Sequence, residues 1–441
     1  MSSFKKIAWA LFLIVVAIRV AIAFSTPYFD YDSYFHIRHI EAIRENGIPA
    51  YDDPLSYGGG FFIFPPLFHY IMAGLSFLVP LGIIGKIVPN VLYALLVPLS
   101  YHIAKQITGE RKASLIAPVV IAFMPILWSN VFSLNPLCMA IPAVFLAFYF
   151  LTKKDCRNST GMFLFFMIIS SFISPAVILA IPALWLYILF LKIEKVKEKG
   201  PLLESIIFLT FFILLVQFIF YKNAILLNGM AVIWQNMPEA VLKNYFTDIG
   251  ILDVIANVGI LPFIFGLYQI YVFSFEKRER ASGLFISVAI ISGLALWLKL
   301  VSIQTGMIFL GIGISIISIA SVKCFIDYLE KIKFRRIKYV TAGIIVLFIV
   351  TALIPAVYYL NLSKEKIPSK QEINAMGWLA EESGESSVIV GDVSDGFIIT
   401  AIARRKSVID GNFLMKRDAD TRLQDVSIIY TAVYETNALE P

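Results

Sequence analysis

Long apolar runs fill most of this chain, and polar residues gather in short intervals between them. A helix needs roughly 17–25 predominantly apolar residues to cross the hydrocarbon of a bilayer. On that template the pattern predicts eleven spans, near 7–24, 84–104, 113–128, 138–152, 160–174, 176–191, 203–221, 254–275, 282–298, 302–322 and 339–360. The apolar piece 61–82 is not one of them. Pro65-Pro66 and Pro80 break it, and it is expected to lie on the outer face as an interfacial helix.

After Leu360 the hydrophobicity falls sharply and the signals become those of soluble α/β structure. Ser369-Lys370-Gln371-Glu372 reads as a capping box that opens a helix carrying Ile373, Met376 and Leu379 on one side. Ser387–Val390 and Lys406–Ile409 read as short strands. Two domains are therefore expected: a multi-span membrane domain over 1–360 and a small external α/β domain over 361–441, which reads as short or truncated. No repeat or low-complexity tract is visible.

Composition fixes the class. With 59% hydrophobic residues, 15% charged ones and a mean hydropathy of +0.80, the chain is not a soluble globule but a polytopic α-helical protein of the cell membrane. Lys5-Lys6 precede the first span and no small-residue cleavage site follows it, so that span reads as an anchor. Basic residues cluster at Lys5-Lys6, Lys105/Arg111/Lys112, Lys153-Lys154/Arg157, Lys192/Lys195/Lys197/Lys199, Lys277-Arg278/Arg280 and Lys323/Lys331/Lys333/Arg335-Arg336/Lys338. Eleven spans put all six clusters in the cytoplasm, whereas a twelfth at 61–82 would put five outside. The N-terminus is expected inside, and the loops 25–60, 129–137 and 222–253 and the tail outside. The net charge of +6 then reflects this bias and anionic lipid, with no nucleic-acid partner required.

One polar interval carries candidate chemistry: Asp30-Tyr31-Asp32-Ser33-Tyr34-Phe35-His36-Ile37-Arg38-His39. Two carboxylates two residues apart at the mouth of a membrane protein coordinate a cation or take a proton from a hydroxyl, if they do more than face water. Together with Asp53-Pro54-Leu55-Ser56-Tyr57-Gly58 and Phe64-Pro65-Pro66-Leu67-Phe68, the run resembles the first external loop of the catalytic subunit of oligosaccharyltransferase, especially its archaeal form. The resemblance implies the GT-C fold of membrane glycosyltransferases.

Elsewhere the match to that family is partial. Aligned without gaps, Asp392-Val393-Ser394-Asp395-Gly396 takes the place of the family's WWDYG motif and keeps only its glycine, with Arg404, Asp410 and Asn412 following. The family's motif grips the hydroxy-residue of an acceptor sequon, and Asp392 and Val393 remove the apolar walls of such a pocket. Its second acidic motif falls on Ser129-Asn130-Val131-Phe132-Ser133-Leu134-Asn135-Pro136, which has no acid. Its later glutamate falls on Gln235, with Glu239 four residues on. A Mg²⁺ or Mn²⁺ ion, implied at Asp30, Asp32 and His36, would then be held weakly or not at all, because a hard cation wants several anionic oxygens.

The reading is a transferase that moves a sugar or oligosaccharide from a polyprenyl-phosphate-linked donor to an acceptor protein or glycan on the external face. Asp32 is the candidate base and Asp30 its partner. Arg404 and Arg405, with Lys222 and Lys243 behind them, are candidates for meeting the lipid phosphate, and Asp395, Gly396, Gln235 and Glu239 for binding substrate. The alternative is a non-catalytic relative that binds lipid-linked glycan or a partner subunit, and a flippase or transporter is a third class.

The remaining polar residues are read more plainly. His36 and His39 share a helix side with Asp32, and either ligate a metal or make ordinary hydrogen bonds. His69 and His102 are expected to be packed or interfacial. Arg19, near the outer end of the first span, is expected to snorkel toward water. Cys138, Cys156 and Cys324 have no metal-type spacing, and no disulfide is expected. Asn361-Leu362-Ser363 is an external sequon open to modification, whereas Asn158-Ser159-Thr160 faces the cytoplasm. No P-loop, GxGxxG, Ser-His-Asp or CxxC arrangement occurs, which argues against nucleotide-driven chemistry.

Overall fold

Apolar runs of this length have one way to satisfy their backbone in lipid, and the chain takes it. The computed structural model describes residues 3–153, 158–195, 202–228, 250–275, 280–332, 336–412 and 418–432, and these are mostly helical. Six helical stretches are long and apolar enough to cross a membrane: Phe4–Ala23, Leu81–Thr108, Pro175–Ile193, Leu202–Leu226, Ile303–Lys331 and Tyr339–Glu382. A bent pair, Ile251–Val258 with Ile260–Phe275, makes up to seven. Shorter apolar helices occupy Leu67–Ser76, Ala113–Ala122, Leu137–Thr152, Ser159–Ser171 and Ala281–Trp297. The helix Ile303–Lys331 runs through the middle, packed against Ile260–Phe275, Arg280–Trp297 and Leu96–Thr108. Phe145, Phe148, Phe285 and Phe309 meet beside it as an aromatic core.

Four sequence expectations are corrected. The run 254–275 is broken by 105°, not continuous. Gly259, at φ +101, ends the first piece in a conformation that side chains disfavour, and Pro262 has no N–H to offer the carbonyl of Val258. Arg19 does not snorkel: it is 2% exposed and points into the bundle. The sequon at Asn361 lies within the helix Ile337–Glu365, where the Ser363 hydroxyl is spent on the carbonyl of Leu360 at 2.7 Å. The two strands are shorter than expected, Val388–Ile389 and Lys406–Ser407, and pair in parallel.

The apolar piece 61–82 contains the helix Leu67–Ser76, ending at a corner where Leu78 is 81% exposed. In the tail the capping box forms as read. Ser369 Oγ accepts from the Glu372 N–H at 3.2 Å, and the Glu372 carboxylate accepts from the Ser369 N–H at 2.6 Å. Strand Lys406–Ser407 also reaches the first loop. The Ser407 N–H donates to Leu55 O at 2.9 Å, and the Tyr57 N–H to Ser407 O at 3.0 Å. Tyr31 adds a hydroxyl bond to Glu372 at 2.9 Å, across 341 residues of sequence.

Between the strands the chain turns a corner at Gly396, which is wedged against its return path. A Cβ there would stand 2.2 Å from Ile409 O and 2.5 Å from Asp410 Cβ. Gly396→Ala is therefore expected to loosen the tail by roughly 1–3 kcal/mol. Limited proteolysis between 383 and 432 should quicken while the membrane helices stay protected, and unchanged proteolysis would refute the wedge.

Candidate active site

The site begins with a helix cap. Tyr31–Asn46 is a helix because Asp30 stops it at one end and Gly47, at φ 79, at the other. The Asp30 carboxylate accepts from the Ser33 N–H at 3.0 Å, as an N-cap does, and also from the Ser33 and Ser133 hydroxyls. Ser33 Oγ in turn accepts from the Leu134 N–H at 2.7 Å. Both oxygens of Asp30 are thus occupied, and the loop 129–137 is fastened to the start of the aspartate-bearing helix. Burial pushes the Asp30 carboxyl above the usual carboxylate range, against the pull of these hydrogen bonds and of Lys366.

Asp32, in the first turn of the same helix, opens into a cavity of about 370 Å³. Protein packed behind it, then the charge of Asp30, push its carboxyl up to about 6, and Lys366 pulls it down. Asp32 is exposed on its cavity side, so water in the cavity moderates that push. Asp30, Ser133 and Asn135 line the same space, with Gln304 and Thr305 at the start of Ile303–Lys331 and Asn412 from the tail. An apolar wall of Phe62, Phe64 and Phe397 completes it. Phe397 arrives there because Gly396 lets the preceding corner close.

The histidines form their own cluster. His36 Nδ1 lies 2.9 Å from His69 Nε2, and the rings of Phe35, Phe64 and Phe68 surround the pair and His39. Burial drives His36 down to about 3 and His39 well below its ordinary value, so both are neutral at physiological pH. His36 lines the cavity, committed to His69 on one nitrogen.

The donor set does not fit the divalent ion that the resemblance implied. Both Asp30 oxygens already accept hydrogen bonds, Asn135 Oδ1 accepts from the Leu137 N–H at 3.1 Å, and one nitrogen of His36 is held by His69. Among the described residues that leaves Asp32, and one carboxylate does not make a Mg²⁺ or Mn²⁺ site. Among the described residues no group of three His, Cys, Asp or Glu is arranged to hold a metal. Gln235 and Glu239 lie outside the described residues, as does Lys243.

The basic candidates from the tail are not brought to the cavity. Arg405 is buried under the end of the helix Lys370–Glu382, where it donates to Ala380 O and Ser383 O at 2.6 Å and to Ser383 Oγ at 2.9 Å. It is a C-terminal cap for that helix. Arg404 is exposed at φ 52, where Glu41 feels its charge. Asp395 is half-buried at the corner, its carboxyl raised by burial, and Lys222 is exposed on its helix. Sequence reasoning missed Lys366, whose charge both aspartates feel and whose carbonyl accepts from the Tyr31 N–H at 3.1 Å. It also missed Ser133, His69 and Gln304. Nothing in a local window marks them, because each meets its partner through the fold.

No known family model matches this sequence, and no curated protein sequence does. Solved structures match it. The archaeal oligosaccharyltransferase AglB from Archaeoglobus fulgidus, in complex with an inhibitory peptide and a dolichol-phosphate, superposes with a TM-score of 0.69 at 14% identity, over 99% of this chain and 68% of that one. ArnT from Cupriavidus metallidurans, bound to undecaprenyl phosphate, superposes with a TM-score of 0.60 at 10% identity, over 95% and 87%. Identities this low speak to architecture, and the architecture is the GT-C fold that these two membrane proteins share.

Proposed function

We propose that this protein is a membrane glycosyltransferase that takes a sugar from a polyprenyl-phosphate-linked donor, with Asp32 as general base. One observation carries the reading: a carboxylate with no hydrogen-bond partner among the described residues, opening into an aromatic-walled cavity beside a second carboxylate whose two oxygens both accept hydrogen bonds. As the acceptor oxygen attacks the anomeric carbon, its proton passes to Asp32. The bond from that carbon to the phosphate oxygen breaks, and its electron pair leaves with the polyprenyl phosphate. Asp30 holds the helix end and its negative charge raises the basicity of Asp32. Lys366 is the cation placed to offset charge near the pair. AglB and ArnT, captured with dolichol-phosphate and undecaprenyl phosphate, support a lipid-linked donor.

The same proposal includes eleven spans, a cytoplasmic N-terminus, an external site and division into 1–360 and 361–441. The long helices and the bent pair supply seven spans, and four of the shorter apolar helices the rest, with Leu67–Ser76 kept at the outer interface. A non-catalytic relative that binds lipid-linked glycan is the second reading, favoured by the missing metal ligands.

Five outcomes are expected. With a radiolabelled polyprenyl-phosphate-linked sugar, Asp32→Asn should lower kcat by about 10²–10⁴-fold with donor still bound, since an amide cannot take the proton. A base must be ionised, so the rate of the unmodified protein should fall as pH drops through about 6. An unchanged rate in Asp32→Asn refutes the assignment, and transfer by none of the proteins favours the non-catalytic reading. EDTA should leave most of the rate intact, and Asn135→Asp with Gln235→Glu should create measurable Mn²⁺ binding; strong EDTA inhibition of the unmodified protein would sink the metal-free mechanism. Cysteines placed at Ser387 and Lys195 should label from opposite faces of sealed vesicles, and same-side labelling would reverse the topology.

A further inference from the structure

Arg19 is among the largest fully buried side chains of the protein, and no carboxylate pairs with it among the described residues. An arginine stays charged, and a charge within a helical bundle is costly unless its hydrogen bonds do a specific task. Its Nε donates to Asn90 Oδ1 at 3.0 Å and its Nη1 to the carbonyl of Leu127 at 2.8 Å. The rings of Tyr93 and Trp128 lie 5.5 Å from the guanidinium carbon. Asn90 then donates from Nδ2 to the carbonyl of Val131 at 3.0 Å. Leu127 and Val131 bracket the turn that delivers Ser133 to Asp30 and the Leu134 N–H to Ser33.

We propose that Arg19 is a positioning residue for the acidic pair: with Asn90 it clasps the turn 127–131, and the turn holds the Ser133 hydroxyl and the Leu134 N–H on the start of the aspartate-bearing helix. The clasp needs a donor that reaches two acceptors in fixed directions, which the planar guanidinium supplies and an ammonium matches only in part. The consequence for activity rests on the transferase reading above. The consequence for the loop does not.

Hydrogen exchange on the purified full-length protein tests the clasp without any activity. In Arg19→Met, the peptide covering 127–137 should exchange roughly tenfold faster than in the unmodified protein, while peptides within Ile303–Lys331 keep their protection. Arg19→Lys should fall between the two, and Asn90→Ala should loosen the same peptide. Asn90→Ala also decides the matter if Arg19→Met does not fold. In the transfer assay Arg19→Met should lower kcat with little change in donor KM, and combining it with Ser133→Ala should cost no more than the worse single change. Unaltered exchange of 127–137 in the folded variants overturns the proposal, and so do additive losses with Ser133→Ala. A loosened loop in a protein that transfers nothing even unmodified leaves the clasp standing and removes the enzymatic reading instead.

Discussion

The carboxylate of Asp30 has one interaction set on which the rest of the site depends. It closes the N-terminus of the helix Tyr31–Asn46 and, through Ser133, joins that helix to a loop 103 residues away. A hydrogen bond to a charged group contributes about 1.5–3 kcal/mol, and loss of a donor leaves a buried charge short of a partner. Once Asp30 is fixed, everything on its helix is fixed with it. Asp32 in the first turn enters the cavity at a set position, and His36 one turn later does so with His69 as its own partner.

That arrangement separates two carboxylates that look alike in the sequence. Both oxygens of Asp30 accept hydrogen bonds, whereas Asp32 has no hydrogen-bond partner among the described residues and faces the cavity. Desolvation raises both and the charge of Asp30 raises Asp32 further, while the serine hydrogen bonds pull only Asp30 back. Asn135 and His36 are also engaged with protein atoms, and among the described residues no group of three His, Cys, Asp or Glu is arranged to hold a metal. The aromatic wall of Phe62, Phe64 and Phe397 borders the cavity into which Asp32 opens.

The tail matters to this cavity in a way its sequence does not announce. Strand Lys406–Ser407 is hydrogen-bonded to the first loop at Leu55 and Tyr57, and the tight corner at Gly396 turns Phe397 into the wall. Arg405, beside that strand, closes the preceding helix. The corner keeps the glycine that its close approach to Ile409 and Asp410 needs, and the Phe397 that follows lines the cavity.

What the sequence determined by itself was local. Apolar run length predicted helices wherever the structure has long ones, the Ser369–Glu372 spacing predicted its capping box, and the polar interval after the first span marked Asp30 and Asp32, because caps, spans and neighbouring charges are properties of a few consecutive residues. The break at Gly259 was legible in principle from Gly259 and Pro262, yet apolarity on both sides masked it. The partners were not legible at all. Ser133 on Asp30, His69 on His36, Lys366 near the aspartates, Arg405 on a helix end and Arg19 inside the bundle were decided by the tertiary structure alone. A hydrogen bond between groups tens to hundreds of residues apart depends on how helices pack, and packing is set by the whole bundle at once rather than by any stretch that can be read along the chain.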